Sequence, residues 1–294
     1  MIRMALHQSG YDLRAFLRNR QSQFFTLALP VLLLVIFASV FGGSGNTTQV
    51  AGGKISTSVS YVPGIIALGV IAACFGNLVA SVTAQRERGV LKRRRATPVP
   101  AAAVIAGRVL TAAVIAVIMA AMLLGIGRVA YGARVPGRTA LALAVTVVTG
   151  AACFCRLGYA LSSLIRNEDA ALPATTAITL PLYFISGVFA TVTVLPHWLA
   201  DVGAIFPVRH LAHALLAACN PHTTGLGFAG PDLLIVAAWG SRGPSHRSPH
   251  VQLAAARTLT RTATHPPSQE KDHDHRSPDP SRTMLHARNS QGNA

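Results

Sequence analysis

The chain has 294 residues, of which 51% are hydrophobic and 12% charged, with a formal net charge of +16. Ordinary soluble domains carry roughly 25% charged residues, so this composition excludes a typical soluble fold and points to a membrane protein. The surplus cations sit at the ends of apolar runs and in the C-terminal tail rather than on a basic face interleaved with aromatics, which argues against a nucleic-acid partner.

Residues 11–23, "YDLRAFLRNRQSQ", read as an amphipathic helix on the membrane surface, within a cytoplasmic N-terminal segment 1–23. Leu13, Phe16 and Leu17 share one face and Arg14, Arg18 and Gln21 another. This charged stretch precedes the first apolar run and no small-residue cleavage site follows, so no cleavable signal peptide is expected. Five full spans follow, each long enough to approach the roughly 20 apolar residues a membrane helix needs. They cover about 24–41, 61–82, 109–127, 139–164 and 171–190. A segment broken by Pro196 and Pro207 follows, expected as short helices dipping into the outer face. In it His197 and Asp201, and His210 and His213, are spaced to share helical faces.

A sixth span starts at Leu233 and stops after Trp239. From Ser241 the chain is rich in Pro, Ser, Thr, Arg and His without apolar periodicity. Residues 241–294 are therefore expected to be disordered, and to be an altered reading frame or a natural truncation of a chain that completes span six. The expected class is an all-α integral membrane protein of five full spans plus a partial sixth, in a membrane domain covering 24–240.

Lys and Arg in short loops set orientation. Four arginines precede span one, only Lys54 lies between spans one and two, and six cations crowd the stretch "RERGVLKRRRATPVP" at 86–100. This places the N-terminus and the 86–100 loop in the cytoplasm and 42–60 outside, in the plasma membrane. Cys74, Cys153, Cys155 and Cys219 fall mostly inside apolar runs and read as packing residues, with no metal-ligand spacing around them. Neither a phosphate-binding G-x-x-x-x-G-K-[ST] loop nor an H-E-x-x-H or G-x-S-x-G motif occurs. No intrinsic ATP hydrolysis, catalytic site, metal or cofactor is expected. Arg156 lies within span four; a charge there costs about 2.5–3.5 kcal/mol on insertion scales. It either faces an internal cavity or snorkels to the cytoplasmic side.

The basic loop itself reads as a topology anchor on anionic lipid or as a docking helix from about Gln85 to Arg95, stopped by Pro98. The run "QRERGVLKRRRATPVP", preceded by "FGNLVASVTA", resembles the loop between the second and third helices of ABC-2 type permeases, the membrane subunits of ATP-binding-cassette exporters. The family's usual form is E-R-E-x-G-T-L-x-x-L-R-x-T-P-x; Val90 stands here for Thr and Arg94 for Leu. "LPLYFISGVFATVTVLPHWLADVGAIFPVRHLAHALL" is similar to the family's segment after helix five, with Ile185 in place of a Leu. The likeness covers about residues 10–240, and its style is nearest the daunorubicin-resistance drug-efflux branch.

The resemblance implies a homodimer or a pair of related permease chains working with two separate ATPase chains. These would export a hydrophobic drug-like compound or a lipid. It assigns Glu87, Gly89, Leu91, Arg95 and Pro98 to an ATPase-coupling segment, while Arg88 and Arg93 contact either the ATPase or lipid headgroups. The alternative is a membrane accessory subunit that does not transport, a damaged permease.

Overall fold

The computed structural model describes residues 2–18, 24–43, 46–50, 52–89, 101–133, 137–165, 167–189, 196–223 and 225–242. The fold is mostly helical. Helix α1 (Ile2–Arg18) leads into a π-helical turn, Phe24–Ala28, and α2 (Leu29–Val40). A hairpin of β1 (Thr47–Val50) and β2 (Gly53–Ser56) follows, pairing antiparallel with Thr47 opposite Ser56. Then come α3 (Thr57–Glu87), α4 (Ala101–Tyr131), α5 (Ala140–Leu164) and α6 (Ala171–Ile185). The described residues end with α7 (His197–Ile205), α8 (Pro207–Cys219) and α9 (Gly230–Arg242).

Helix α3 is the centre of the bundle. Its residues Val62 to Ile71 are all buried, and its interior contains one π-helical turn at Ala72–Gly76. Helices α2, α4, α5 and α8 pack around it. Leu34, Ile66, Met119, Val147 and Leu211, one from each of α2 to α5 and one from α8, are essentially inaccessible in the shared core. Small residues allow this closeness. A Cβ on Gly64 would stand 2.5 Å from the backbone oxygen of Val188. The outward faces are apolar as well: Ile118, Leu141, Leu172, Phe184 and Leu234 are all more than half exposed. Water would penalise such a surface, whereas lipid tails match it.

Among the described residues three helices have the length and hydropathy to cross a membrane: Thr57–Glu87, Ile105–Tyr131 and Ala140–Leu164. They correspond to expected spans two, three and four. The first and fifth expected spans appear as shorter apolar helices, Thr26–Val40 and Ala171–Ile185. Fifteen helical residues rise only about 22 Å, against a hydrocarbon core of about 30 Å. The fifth ends early because the chain turns at Ser186–Gly187, where Gly187 has φ +77°, so 171–190 is not one continuous helix. Helices α7 and α8 form a bent pair that passes the span test only when taken together, which matches the expected broken segment.

Two further corrections concern the ends of the expected elements. The 42–60 loop contains a β-hairpin, so the fold is not wholly α. The sixth apolar run is helical over Gly230–Arg242, longer than the expected 233–239. The tail beyond Arg242 lies outside the described residues, as do 19–23 of the N-terminal segment. Helix α1 begins at Ile2 rather than near Tyr11 and continues through Gly10. It packs along α4, where Thr111 Oγ1 donates to the Ser9 carbonyl at 3.3 Å. Tertiary packing of this kind overrides the weak propensity of one glycine.

Candidate functional site

The last turn of α3 emerges from the core beside the ends of two other helices. Thr83 is fully buried, its hydroxyl bonded back to the Val79 carbonyl at 2.9 Å. One turn later the side chains reach across to the connection between α5 and α6. Arg86 donates to the Ser162 carbonyl at 3.0 Å and also to the Ile165 carbonyl. The last carbonyls of a helix have no partner within it, and a guanidinium there satisfies both their lone pairs and the negative end of the helix dipole. Glu87 works at the other side of the same connection. Its Oε1 accepts the backbone N–H of Glu168 at 2.8 Å, just before α6 starts at Ala171. Arg88 closes the set with a 3.4 Å ion pair to Glu168 Oε1. The two side chains are 71% and 38% exposed, so this pair contributes at most about 1 kcal/mol.

The helix then stops. Arg88 caps it, Gly89 donates to the Arg86 carbonyl at 3.2 Å, and Gly89 takes φ +67°. A left-handed glycine directly after the last turn is the common way to end a helix. The expected docking helix from Gln85 to Arg95 is therefore corrected: helical structure ends before Gly89, because that backbone conformation cannot continue a right-handed helix. Leu91, Arg93, Arg95 and Pro98 lie outside the described residues.

Of the expected coupling residues, then, the structure brings Glu87 and Arg88 together with the α5–α6 connection, while Gly89 ends the helix beside them. The main tie, Arg86, was counted among the loop's cations without a role. Its partners are carbonyls, which leave no mark in the sequence. Replacing Arg86 with methionine keeps the aliphatic stem but leaves two carbonyls without their donor. The expected result is a loss of about 1.5–3 kcal/mol, read as a lower midpoint of thermal unfolding in detergent, with the Arg88→Met midpoint close to the parent.

Arg156 projects from α5 toward the end of α9, where its Nη2 donates to the Ser241 carbonyl at 3.4 Å. It thus stands at a helix C-terminus, where a cation is favourable. It does not line either of two cavities in the bundle. The first, of about 280 Å³, is almost wholly apolar; Phe75, Phe154, Leu161, Ile178 and Trp239 are among its walls. The second, of about 340 Å³, has a mixed lining and lies near the start of α3, with Ser60, Ser186, Arg209, His210, His213 and Asp232 as its polar residues. His210 and His213 do share a face as their spacing suggested, and both meet Asp232, at 2.6 and 3.0 Å.

The order of these parts has a counterpart among known proteins. The family described as "ABC-2 type transporter" matches residues 10–219, from within α1 to the end of α8. The chain belongs to the ABC-2 type transporter family. With its three membrane-length helices, this ABC-2 chain is a multi-pass membrane protein. Among curated relatives it is similar to the probable multidrug ABC transporter permease YbhR of Escherichia coli strain K12. The two are 28% identical over 130 residues, which is 44% of this chain and 35% of the relative. The protein of the same name from Escherichia coli O157:H7 matches to the same extent. The matched stretch spans about a third of the length of these relatives.

Proposed function

We propose that this ABC-2 chain is the membrane-spanning permease of an ATP-binding-cassette exporter. It moves a hydrophobic drug-like compound or a lipid outward, using ATP hydrolysed on a separate subunit. The observation that carries the reading is the junction of Arg86, Glu87 and Arg88 with Ser162, Ile165 and Glu168. It ties the ends of α3, α5 and α6 into one unit, directly before the basic loop. A push on that loop is therefore delivered to three helices at once, and α3 is the buried axis of the bundle. A second permease chain completes the pathway in this reading, and the loop's remaining arginines meet the ATPase or anionic headgroups. The apolar cavity between α3, α5, α6, α8 and α9 suits a greasy cargo. The curated relatives' printed name, a multidrug permease, is consistent with such cargo.

The test is co-expression with the ATP-binding subunit of the same host and reconstitution of the purified pair in vesicles. ATP-dependent export of a hydrophobic dye is expected, and it is lost when the ATPase cannot hydrolyse ATP. Co-purification of the two chains without any export across a panel of dyes and labelled lipids would favour the accessory-subunit reading. Absence of any ATPase association would sink both.

Orientation in the plasma membrane has its own measurement. Gln49 and Asp169 are exposed and therefore suit single-cysteine labelling. In intact cells an impermeant thiol reagent is expected to label Gln49→Cys and to label Asp169→Cys only after lysis. The reverse pattern would overturn a cytoplasmic N-terminus and 86–100 loop.

A further inference from the structure

At the opposite end of α3 from the Arg86 junction lies the mixed-lined cavity of about 340 Å³, walled by α3, α8, α9 and the turn after α6. The separation follows from Ser60 and Arg86 being 26 residues apart on one helix, about 39 Å at the usual rise. We propose that this cavity is a binding site for the anionic oxygen group, phosphate or carboxylate, of a small amphiphile.

Three features support it. Ser186 is 2% exposed, lines the cavity, and its hydroxyl has no hydrogen-bond partner among the described residues. A buried hydroxyl left unpaired costs stability, so a partner arriving in the cavity recovers that loss. The charge balance is the second feature. His210 is held between two acceptors, Asp232 Oδ1 through Nδ1 at 2.6 Å and the Ala204 carbonyl through Nε2 at 2.8 Å. His210 and His213 thus each meet one oxygen of Asp232. Arg209 brings a guanidinium to the lining, while the one carboxylate there, Asp232, has both oxygens engaged by the two imidazoles. The third feature is shape. Pro63, Gly64, Ala212 and Leu216 supply apolar wall beside these groups, as a site for a short alkyl chain with a charged head requires. His213 meets Asp232 through Nδ1 with its side chain 68% exposed, so its other edge is at the mouth.

The site stands independently of export, and so does its test. The full-length protein in phosphatidylcholine nanodiscs is titrated calorimetrically with hexyl phosphate, hexanol and hexyltrimethylammonium. Hexyl phosphate is expected to bind at least about tenfold more tightly than the other two, because charge-assisted hydrogen bonds are roughly twice as strong as neutral ones. Ser186→Ala and Arg209→Gln should each weaken it severalfold while the unfolding midpoint without ligand stays within the parent's range. Arg209→Lys should retain most of the binding. Equal affinity for the three probes overturns the proposal without reference to any variant, as does unchanged affinity in both Ser186→Ala and Arg209→Gln. Repeating the titration in phosphatidylglycerol nanodiscs separates the sources. Loss of hexyl phosphate binding there identifies an anionic lipid headgroup as the occupant, and retained binding identifies a free amphiphilic anion; either supports the site.

Discussion

Replacing Glu87 with lysine is expected to cut export to about a tenth of the parent rate or less, while the protein still inserts and folds. The carboxylate of Glu87 accepts the Glu168 N–H at 2.8 Å, and so holds the start of the α5–α6 connection against the end of α3. A lysine there cannot accept that bond. It also sets a third cation between Arg86 and Arg88, which repel it and are drawn away from Ser162, Ile165 and Glu168. A hydrogen bond to a charged group contributes roughly 1.5–3 kcal/mol, and an exposed one falls at the lower end. That is small against the stability of a helical bundle whose core lies elsewhere, but it is comparable to the free energy that couples two sites in a switching protein. Glu87→Gln is the matched control. It retains an oxygen acceptor and removes only the charge, so it should keep a substantial share of export. Vesicle export and thermal unfolding, measured at equal protein content, decide the matter. Near-parent export by Glu87→Lys would reduce the junction to a static brace.

Local pattern was enough for the long elements. Span four is expected at 139–164 and the helix is Ala140–Leu164; spans two and three lie inside longer helices. Continuous apolar runs of this length have few alternative structures in lipid. A glycine inside a basic stretch is itself a break signal, and the positive φ of Gly89 is the physical form of that break. A docking helix drawn across it does not hold, because a residue in the left-handed region interrupts a right-handed helix whatever lies on either side. The hairpin at Thr47–Ser56 was missed although its sequence, "TTQVAGGKIS", holds β-branched residues on both sides of a Gly-Gly turn. In a short loop between apolar runs that signal was overshadowed by composition. What no local reading could reach is the pairing across distance. Arg86 finds carbonyls 76 and 79 residues away, and Asp232 finds His210 and His213 on another helix. Those contacts depend on which helix ends meet, and therefore on packing around α3.

A proline at position 89 is expected to have an effect on coupling of the same order, and the series of residues tried there separates backbone shape from bulk. A Cβ at Gly89 meets nothing within 4 Å, so space is not the constraint. The constraint is φ +67°. Proline is locked near −65° and cannot adopt it. It also removes the N–H that reaches the Arg86 carbonyl at 3.2 Å, and it disfavours the helical conformation of the residue before it. That residue is Arg88, at φ −69° and ψ 3°, whose side chain pairs with Glu168. One substitution therefore redirects the basic loop and disturbs both residues that anchor it. Asparagine visits the left-handed region with little penalty, while alanine incurs roughly 1–2 kcal/mol there and a β-branched residue more. Export should fall in the order Asn, Ala, Val, Pro, with the asparagine variant near the parent and the proline variant losing about tenfold or more. Thermal unfolding midpoints should change much less across the same series, because a side chain at position 89 meets nothing within 4 Å of its Cβ. If Gly89→Asn and Gly89→Pro export equally well at matched expression, the direction in which the chain leaves α3 is irrelevant to transport. The 86–100 stretch would then act as an anchor on anionic lipid alone.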